Sequence, residues 1–228
     1  MQSYKSYKAN TIGDDVYELL KTDILNLTLK PGQVLTEQEI CEKYGISRTP
    51  SRDVLQRLRN DGLVIAIPYK ANYVSLLNYD TIQQLIYMRT CLETQVIKDA
   101  IKDHMDELIV KLEANIAQQA NLLAHDFSPE EFFKIDSAFH RSWFEVTKKC
   151  AVWEQIQKSQ VHYTRFRMLD IVVVKNFEAI HEEHKKLVEL IKEKRMEEIE
   201  QYVANHLTGG IRRLGDKIFN EYAEYFTE

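Results

Sequence analysis

The chain has 228 residues, 44% of them hydrophobic and 29% charged, with a formal net charge of −5. That balance suits a globular protein of one or two domains with a sizeable core. No apolar run reaches the length of a membrane span, and the start MQSYKSYKAN lacks the apolar segment of a signal peptide, so a cytoplasmic protein with no membrane partner is expected.

The first periodic stretch carries Val16, Leu19, Leu20, Ile24 and Leu27 at helical spacing and ends at Pro31-Gly32. Next comes TEQEICEKYGISRTPSRDVLQRLRNDG, residues 36–62. Thr36 and Glu39 have the T-x-x-E spacing of a capping box, so a helix should start there. Ile40 and Tyr44 give that helix an apolar stripe, and Gly45 marks a sharp turn. Ser47 is a natural N-cap for a second helix, with Pro50 tolerated in its first turn and Gly62 as its stop. Arg48, Arg52, Arg57 and Arg59 lie on this second helix with Thr49 and Ser51, while Val54, Leu55 and Leu58 point inward. Arginines and hydroxyls at the N-terminal end of a helix that packs on a shorter one have the layout of a helix-turn-helix DNA reader, the alternative being a basic amphipathic helix whose arginines are simply solvated. Leu63–Ile67 and Tyr73–Leu77 are β-rich runs around Pro68-Tyr-Lys-Ala-Asn72 and predict a hairpin, which completes a winged helix-turn-helix.

Residues 14–76 resemble the N-terminal domain of the GntR family of bacterial transcription regulators. The resemblance is carried by LKPGQVLTEQEICEKYGISRTPSRDVLQRLRNDGLV and by the wing IPYKANYVSLL. It implies that Arg48 and Arg52 enter the major groove, that Ser47 and Thr49 meet phosphates and bases, and that Gln38 and the wing residue Lys70 add contacts. Two positions depart from the family pattern. Gln38 stands where many relatives have Arg, and Ala71 stands where the wing usually has Gly, so Asn72 is expected to supply the turn instead.

After Asn78 the pattern is helical throughout, with helices expected near 79–103, 105–124, 129–148, 151–170, 176–194 and 196–226. Breaks are supplied by Asp103-His104, the Asp126-Phe-Ser-Pro129 cap, Lys148-Lys-Cys150 and Val174-Lys-Asn176. The expected fold is therefore mainly α. A winged helix-turn-helix over 10–77 is followed by an all-α antiparallel bundle over 78–228. Residues 1–77 hold ten Lys/Arg against nine Asp/Glu and the remainder twenty against twenty-six, so the acidic surface belongs to the bundle. Cys41, Cys91 and Cys150 lie far apart without metal-type spacing, and buried free thiols are expected.

In SPEEFFKIDSAFHRSWFEV, Phe133, Asp136, His140 and Phe144 share one helix face. An Asp and a His facing inward must be paired or coordinating, so either a buried Asp–His hydrogen bond or a metal site is implied. His184 and His206, each on its own helix, turn this pair into a three-His, one-carboxylate set suited to Zn²⁺, Ni²⁺ or Mn²⁺. The set is similar to that of the FCD ligand-binding domain found in the FadR-like branch of the GntR family, and the six-helix count resembles its VanR-type subgroup. By that resemblance Asp136, His140, His184 and His206 hold a divalent metal, most simply Zn²⁺, that in turn holds a small organic-acid effector. Arg89, and Arg165 or Arg167, can orient its carboxylate. His104, His125, His162 and His181 match no ligand position. The expectation is a ligand-responsive repressor that binds operator DNA as a homodimer. The alternative is a metal-dependent enzyme built on the bundle, for which Glu178-x-x-His181 is a single, insufficient element.

Overall fold

A computed structural model describes residues 12–159 and 161–227. The expectations for the first ten residues, including a domain start at residue 10, fall outside the described residues. The described residues divide into two compact units, 12–77 with 224–227, and Asn78–Ala223.

The first unit contains α1 (Ile12–Leu25), β1 (Val34–Leu35), α2 (Glu37–Tyr44), α3 (Arg48–Asn60), β2 (Val64–Ala66) and β3 (Asn72–Val74). Helix α1 packs on α3 and α3 on α2, burying Val16, Leu20 and Ile24 of α1, Ile40 of α2 and Val54, Leu55 and Leu58 of α3, whereas Leu19 is exposed and Leu27 lies beyond the helix end. The capping box is formed: Thr36 Oγ1 accepts from the Glu39 amide at 3.1 Å, and Glu39 Oε2 accepts from the Thr36 amide at 3.0 Å. Helix α3 ends in a Schellman motif. Left-handed Gly62 (φ 71°) lets its own amide reach the Arg59 carbonyl (3.0 Å) and the Leu63 amide reach that of Leu58 (2.9 Å).

The hairpin is part of a three-stranded antiparallel sheet, ordered β1-β3-β2, with Val34 opposite Tyr73 and Val64 opposite Val74. The first strand was not expected, because two residues are too short for an alternation to be read. The wing turn is also built differently from the expectation. Asn72 pairs in β3 with Leu35 and Ala66, and the left-handed residue is Tyr69 (φ 62°). Pro68 precedes it and the Lys70 amide bonds to the Ile67 carbonyl at 3.1 Å, the pattern of a type II turn. The end of the chain returns to this unit: Phe226 bridges Leu77 in parallel, with the Leu77 amide on the Tyr225 carbonyl (2.7 Å) and the Thr227 amide on the Leu77 carbonyl (2.8 Å).

The second unit is helical. Helix α4 (Tyr79–Asp103) is capped by Asn78, and α5 (Met105–Leu123) follows it. Helix α6 (Pro129–Val146) starts at a Ser128–Glu131 capping box with Pro129 in its first turn. The stretch expected as one helix over 151–170 is helical over Cys150–Ser159 (α7) and Val161–Val174 (α8), reaching four residues further than expected. Helix α9 (Phe177–Lys192) precedes α10 (Met196–Leu207). The expected last helix, 196–226, is broken into α10, α11 (Gly209–Leu214), α12 (Lys217–Asn220) and a 3₁₀ turn at Ala223–Tyr225. Gly215, at φ 49° and ψ −131°, stops α11 in a conformation a side chain would resist. Phe132, Phe139, Trp143 and Phe144 of α6 anchor the core with Phe166, Leu108, Leu112, Ile97 and Ile191. The cysteines correct the expectation: all three are free, none is buried, and Cys91 is exposed. No helix is long and apolar enough to cross a membrane among the described residues.

Candidate nucleic-acid face and metal centre

Ser47, Arg48, Thr49 and Arg52 are all exposed at the N-terminal end of α3. Ser47 takes the N-cap position with extended backbone, but among the described residues its exposed hydroxyl makes no capping bond. Ser51 is buried and donates to the Glu37 carbonyl at 3.3 Å, so it ties α3 to α2 and does not face outward. Arg52 is 66% exposed and rests on Glu37 at 3.0 Å, a screened surface pair that can open at little cost. Gln38 donates to Glu42 at 2.8 Å, and Lys70 is exposed beside Tyr69 at the wing tip. Arg57 and Arg59 are used internally. Arg57 pairs with Asp14 at 2.8 Å and stacks on Tyr17 at 3.9 Å, and Arg59 donates to Asn72 and Gln56.

In the second unit, His140 of α6, His184 of α9 and His206 of α10 are buried with ligand nitrogens all within 4.8 Å of one another. Each ring is fixed from behind. His140 Nδ1 lies 2.7 Å from Glu93 Oε2 of α4, and His206 Nδ1 lies 2.6 Å from Glu183 Oε2. A carboxylate only accepts, so both Nδ1 atoms carry the proton. His184 Nδ1 lies 3.0 Å from Gln119 Oε1 of α5. That amide is oriented by a chain ending on an atom that can only accept: Gln119 Nε2 donates to Asn115 Oδ1 (2.7 Å), and Asn115 Nδ2 donates to the Ile135 carbonyl (3.0 Å).

With the three Nδ1 atoms protonated, the three Nε2 lone pairs face inward. His140 Nε2 and His206 Nε2 are 3.2 Å apart, and His184 Nε2 has no hydrogen-bond partner among the described residues. Burial pushes His140 below its ordinary value against the pull of Glu93, and burial with the nearby His206 holds His184 well below it. Protonation is therefore a poor way to relieve the crowded lone pairs. A cation relieves them: bonds of about 2.0–2.1 Å in a tetrahedron put two nitrogens roughly 3.3 Å apart.

Asp136 of α6 lies beside the cluster, its Oδ1 3.6 Å from His184 Nε2. Burial opposes its charge, but a bidentate grip from Arg167 of α8, at 2.6 and 2.8 Å, brings it below the usual carboxylate range. Four acids thus have arginine partners: Glu93 with Arg89 (2.6 Å), Asp136 with Arg167, and both Glu183 (3.5 Å) and Asp170 (2.7 Å) with Arg213. Four acids and three arginines surround the rings, one net negative charge that a divalent ion converts to one net positive.

The expected arginines separate. Arg89 is buried, its Nη2 has no partner among the described residues, and with Ser137, His140, Gln157, Tyr163 and Arg167 it lines a narrow cavity with about 10 Å³ of free space, room for roughly one water. Arg165 does not line that cavity. It lies beside His162 at 3.4 Å, with burial pulling it down to about 10. Two residues apart on one helix means roughly 200° of rotation, so only one of Arg165 and Arg167 can face the rings, and it is Arg167. Sequence reasoning missed Glu93, Gln119 and Glu183. Only Glu93 left a trace, as the acid four residues after Arg89 on a helix. His181, set aside from the sequence, shares Gln119 Oε1 with His184 at 3.2 Å.

Comparison with known proteins matches residues 12–74 to the bacterial regulatory proteins of the gntR family and residues 84–209, more than half of the chain, to the FCD domain. The HTH-type transcriptional repressor RspR of Escherichia coli is 22% identical over 217 residues, covering 95% of this chain and 94% of that one. An uncharacterized HTH-type regulator from an unstable DNA locus of Streptomyces ambofaciens is 31% identical over 158 residues, 69% of this chain and 65% of that one. The crystal structure of a GntR transcriptional regulator from Rhodococcus sp. RHA1 has the same fold, with a TM-score of 0.69 at 17% identity over 89% of this chain and 97% of that one. The helix-turn-helix unit and the helical unit are thus parts of one known kind of protein: the chain belongs to the GntR family, with an FCD domain, and is a DNA-binding transcription regulator and not an enzyme.

Proposed function

We propose that this regulator is a metal-dependent repressor whose operator affinity is set by a small carboxylic acid. His140, His184 and His206 hold a divalent transition metal, with Zn²⁺ the simplest fit, and Asp136 completes the set while Arg167 positions it. The observation that carries the reading is the convergence of three buried Nε2 atoms whose Nδ1 atoms are all committed elsewhere. When bound, the ion supplies a positive centre that an anion can join. The protein contributes the rest: Arg89, buried in the wall of the adjoining narrow cavity, has an Nη2 without a partner among the described residues that a carboxylate can take. The single net positive charge left after metal binding favours a monoanionic head group.

On the output side, Arg48 and Arg52 read base edges, Ser47 and Thr49 meet phosphate, and Gln38 and Lys70 add backbone contacts. Binding as a homodimer to an inverted repeat and a repressor sign are supported by the family and by RspR, which is named a repressor. A ligand changes operator affinity only through its different affinities for the DNA-competent and incompetent states.

The test is equilibrium binding to a duplex selected from random sequence by the wild-type protein. Arg52→Ala should lose about 1–3 kcal/mol, roughly 5- to 150-fold, at fixed salt. Equal binding by Arg52→Ala would remove α3 from its reading role.

A further inference from the structure

We infer that Glu93 keeps Arg89 occupied while the metal site is empty, so that a carboxylate is admitted only after the metal has bound. This rests on the metal-and-carboxylate reading above and concerns the regulation of that same site. Glu93 is fully buried and divides one charge between two donors: Oε1 accepts from Arg89 Nε at 2.6 Å and Oε2 from His140 Nδ1 at 2.7 Å. Both residues line the same narrow cavity, and each has a second nitrogen that Glu93 does not engage: Arg89 Nη2, without a partner among the described residues, and His140 Nε2, turned toward His206.

Without a metal, His140 is a neutral donor and the carboxylate charge goes mainly to the guanidinium. An anion approaching Arg89 then meets a cation already neutralised. A metal on Nε2 makes the His140 N–H a stronger donor and draws Glu93 charge toward the ring. Arg89 is correspondingly less neutralised and, beside the ion, attracts an anion. By linkage the anion must tighten metal binding by the same factor. Glu93 touches neither ligand; it is a positioning residue.

The experiment uses the full chain, with Zn²⁺ titrated by calorimetry and acetate binding followed by saturation-transfer NMR, in chelator-treated and Zn²⁺-loaded protein. Wild type should bind acetate only when loaded. Glu93→Gln should bind Zn²⁺ roughly 10- to 100-fold more weakly and should bind acetate even without metal, and adding Arg89→Gln should abolish that metal-free binding. Acetate binding equally to metal-free wild type and metal-free Glu93→Gln would overturn the inference while leaving the metal site standing. Failure of wild type to bind Zn²⁺ would instead sink the reading beneath it. If Glu93→Gln does not fold, Arg89→Gln decides: Zn²⁺ affinity should hold or rise, because Glu93 then serves His140 alone, and a Zn²⁺ loss as large as that expected for Glu93→Gln contradicts the inference.

Discussion

Arg52 and Arg57 stand five residues apart on one helix and are put to opposite uses. Arg52 faces solvent on a loose pair with Glu37, whereas Arg57 is clamped between Asp14 and the Tyr17 ring. Arg57→Ala should therefore lower the stability of the first unit by about 1 kcal/mol, from the lost cation–π contact and ion pair. It should leave affinity for the selected duplex within roughly twofold at equal salt, as an arginine turned away from phosphate implies. Urea unfolding and operator titration of the same preparation check both halves, and a strong loss of operator affinity in folded Arg57→Ala would count against the assignment. Side chains of this kind were legible unequally. The inward histidines could be read because an apolar face interrupted by His140 or His184 violates its own pattern. Glu183 and Gln119 could not, since a polar residue on an amphipathic helix ordinarily faces water. Only the folded chain shows which acceptor stands behind which ring.

Local signals that name both a residue and its bond partner located element ends well. Thr36 with Glu39, and Ser128 with Glu131, announce helix starts because each box satisfies two amides at once. Gly62 announces a stop, and a Cβ built there meets no atom within 4 Å, so its conformation alone carries any penalty. Gly62→Ala should cost about 1 kcal/mol: left-handed strain of about 1–2 kcal/mol, partly offset by lower entropy of the unfolded chain. A urea midpoint equal to wild type would mean that the Schellman bonds do not hold α3. Where the structure departed from expectation, long-range pairing decided. Strand β1 exists only through β3, and the wing turn fell to Tyr69 because Pro68 before it presets the turn while Asn72 is committed to the sheet.

Across the whole chain the two units divide the chemistry. The first is near neutral with its exposed arginines, Arg48 and Arg52, at one helix end, and the second carries the acidic excess and the buried imidazoles. The two-unit organisation was legible at Asn78, where turn residues and β-rich runs give way to uninterrupted helical periodicity. The return of the last residues to pair with Leu77 was not, because a single bridge leaves no periodicity to read. In the proposed reading a metal centre joins these parts into a switch, so the most direct measurement is a Zn²⁺ titration of chelator-treated wild type beside His206→Ala. One ion per chain should bind wild type, and His206→Ala, though folded by circular dichroism, should lose that binding by at least roughly 100-fold. Undiminished Zn²⁺ binding by folded His206→Ala, or none by wild type, would contradict the proposal that these three histidines form a metal centre.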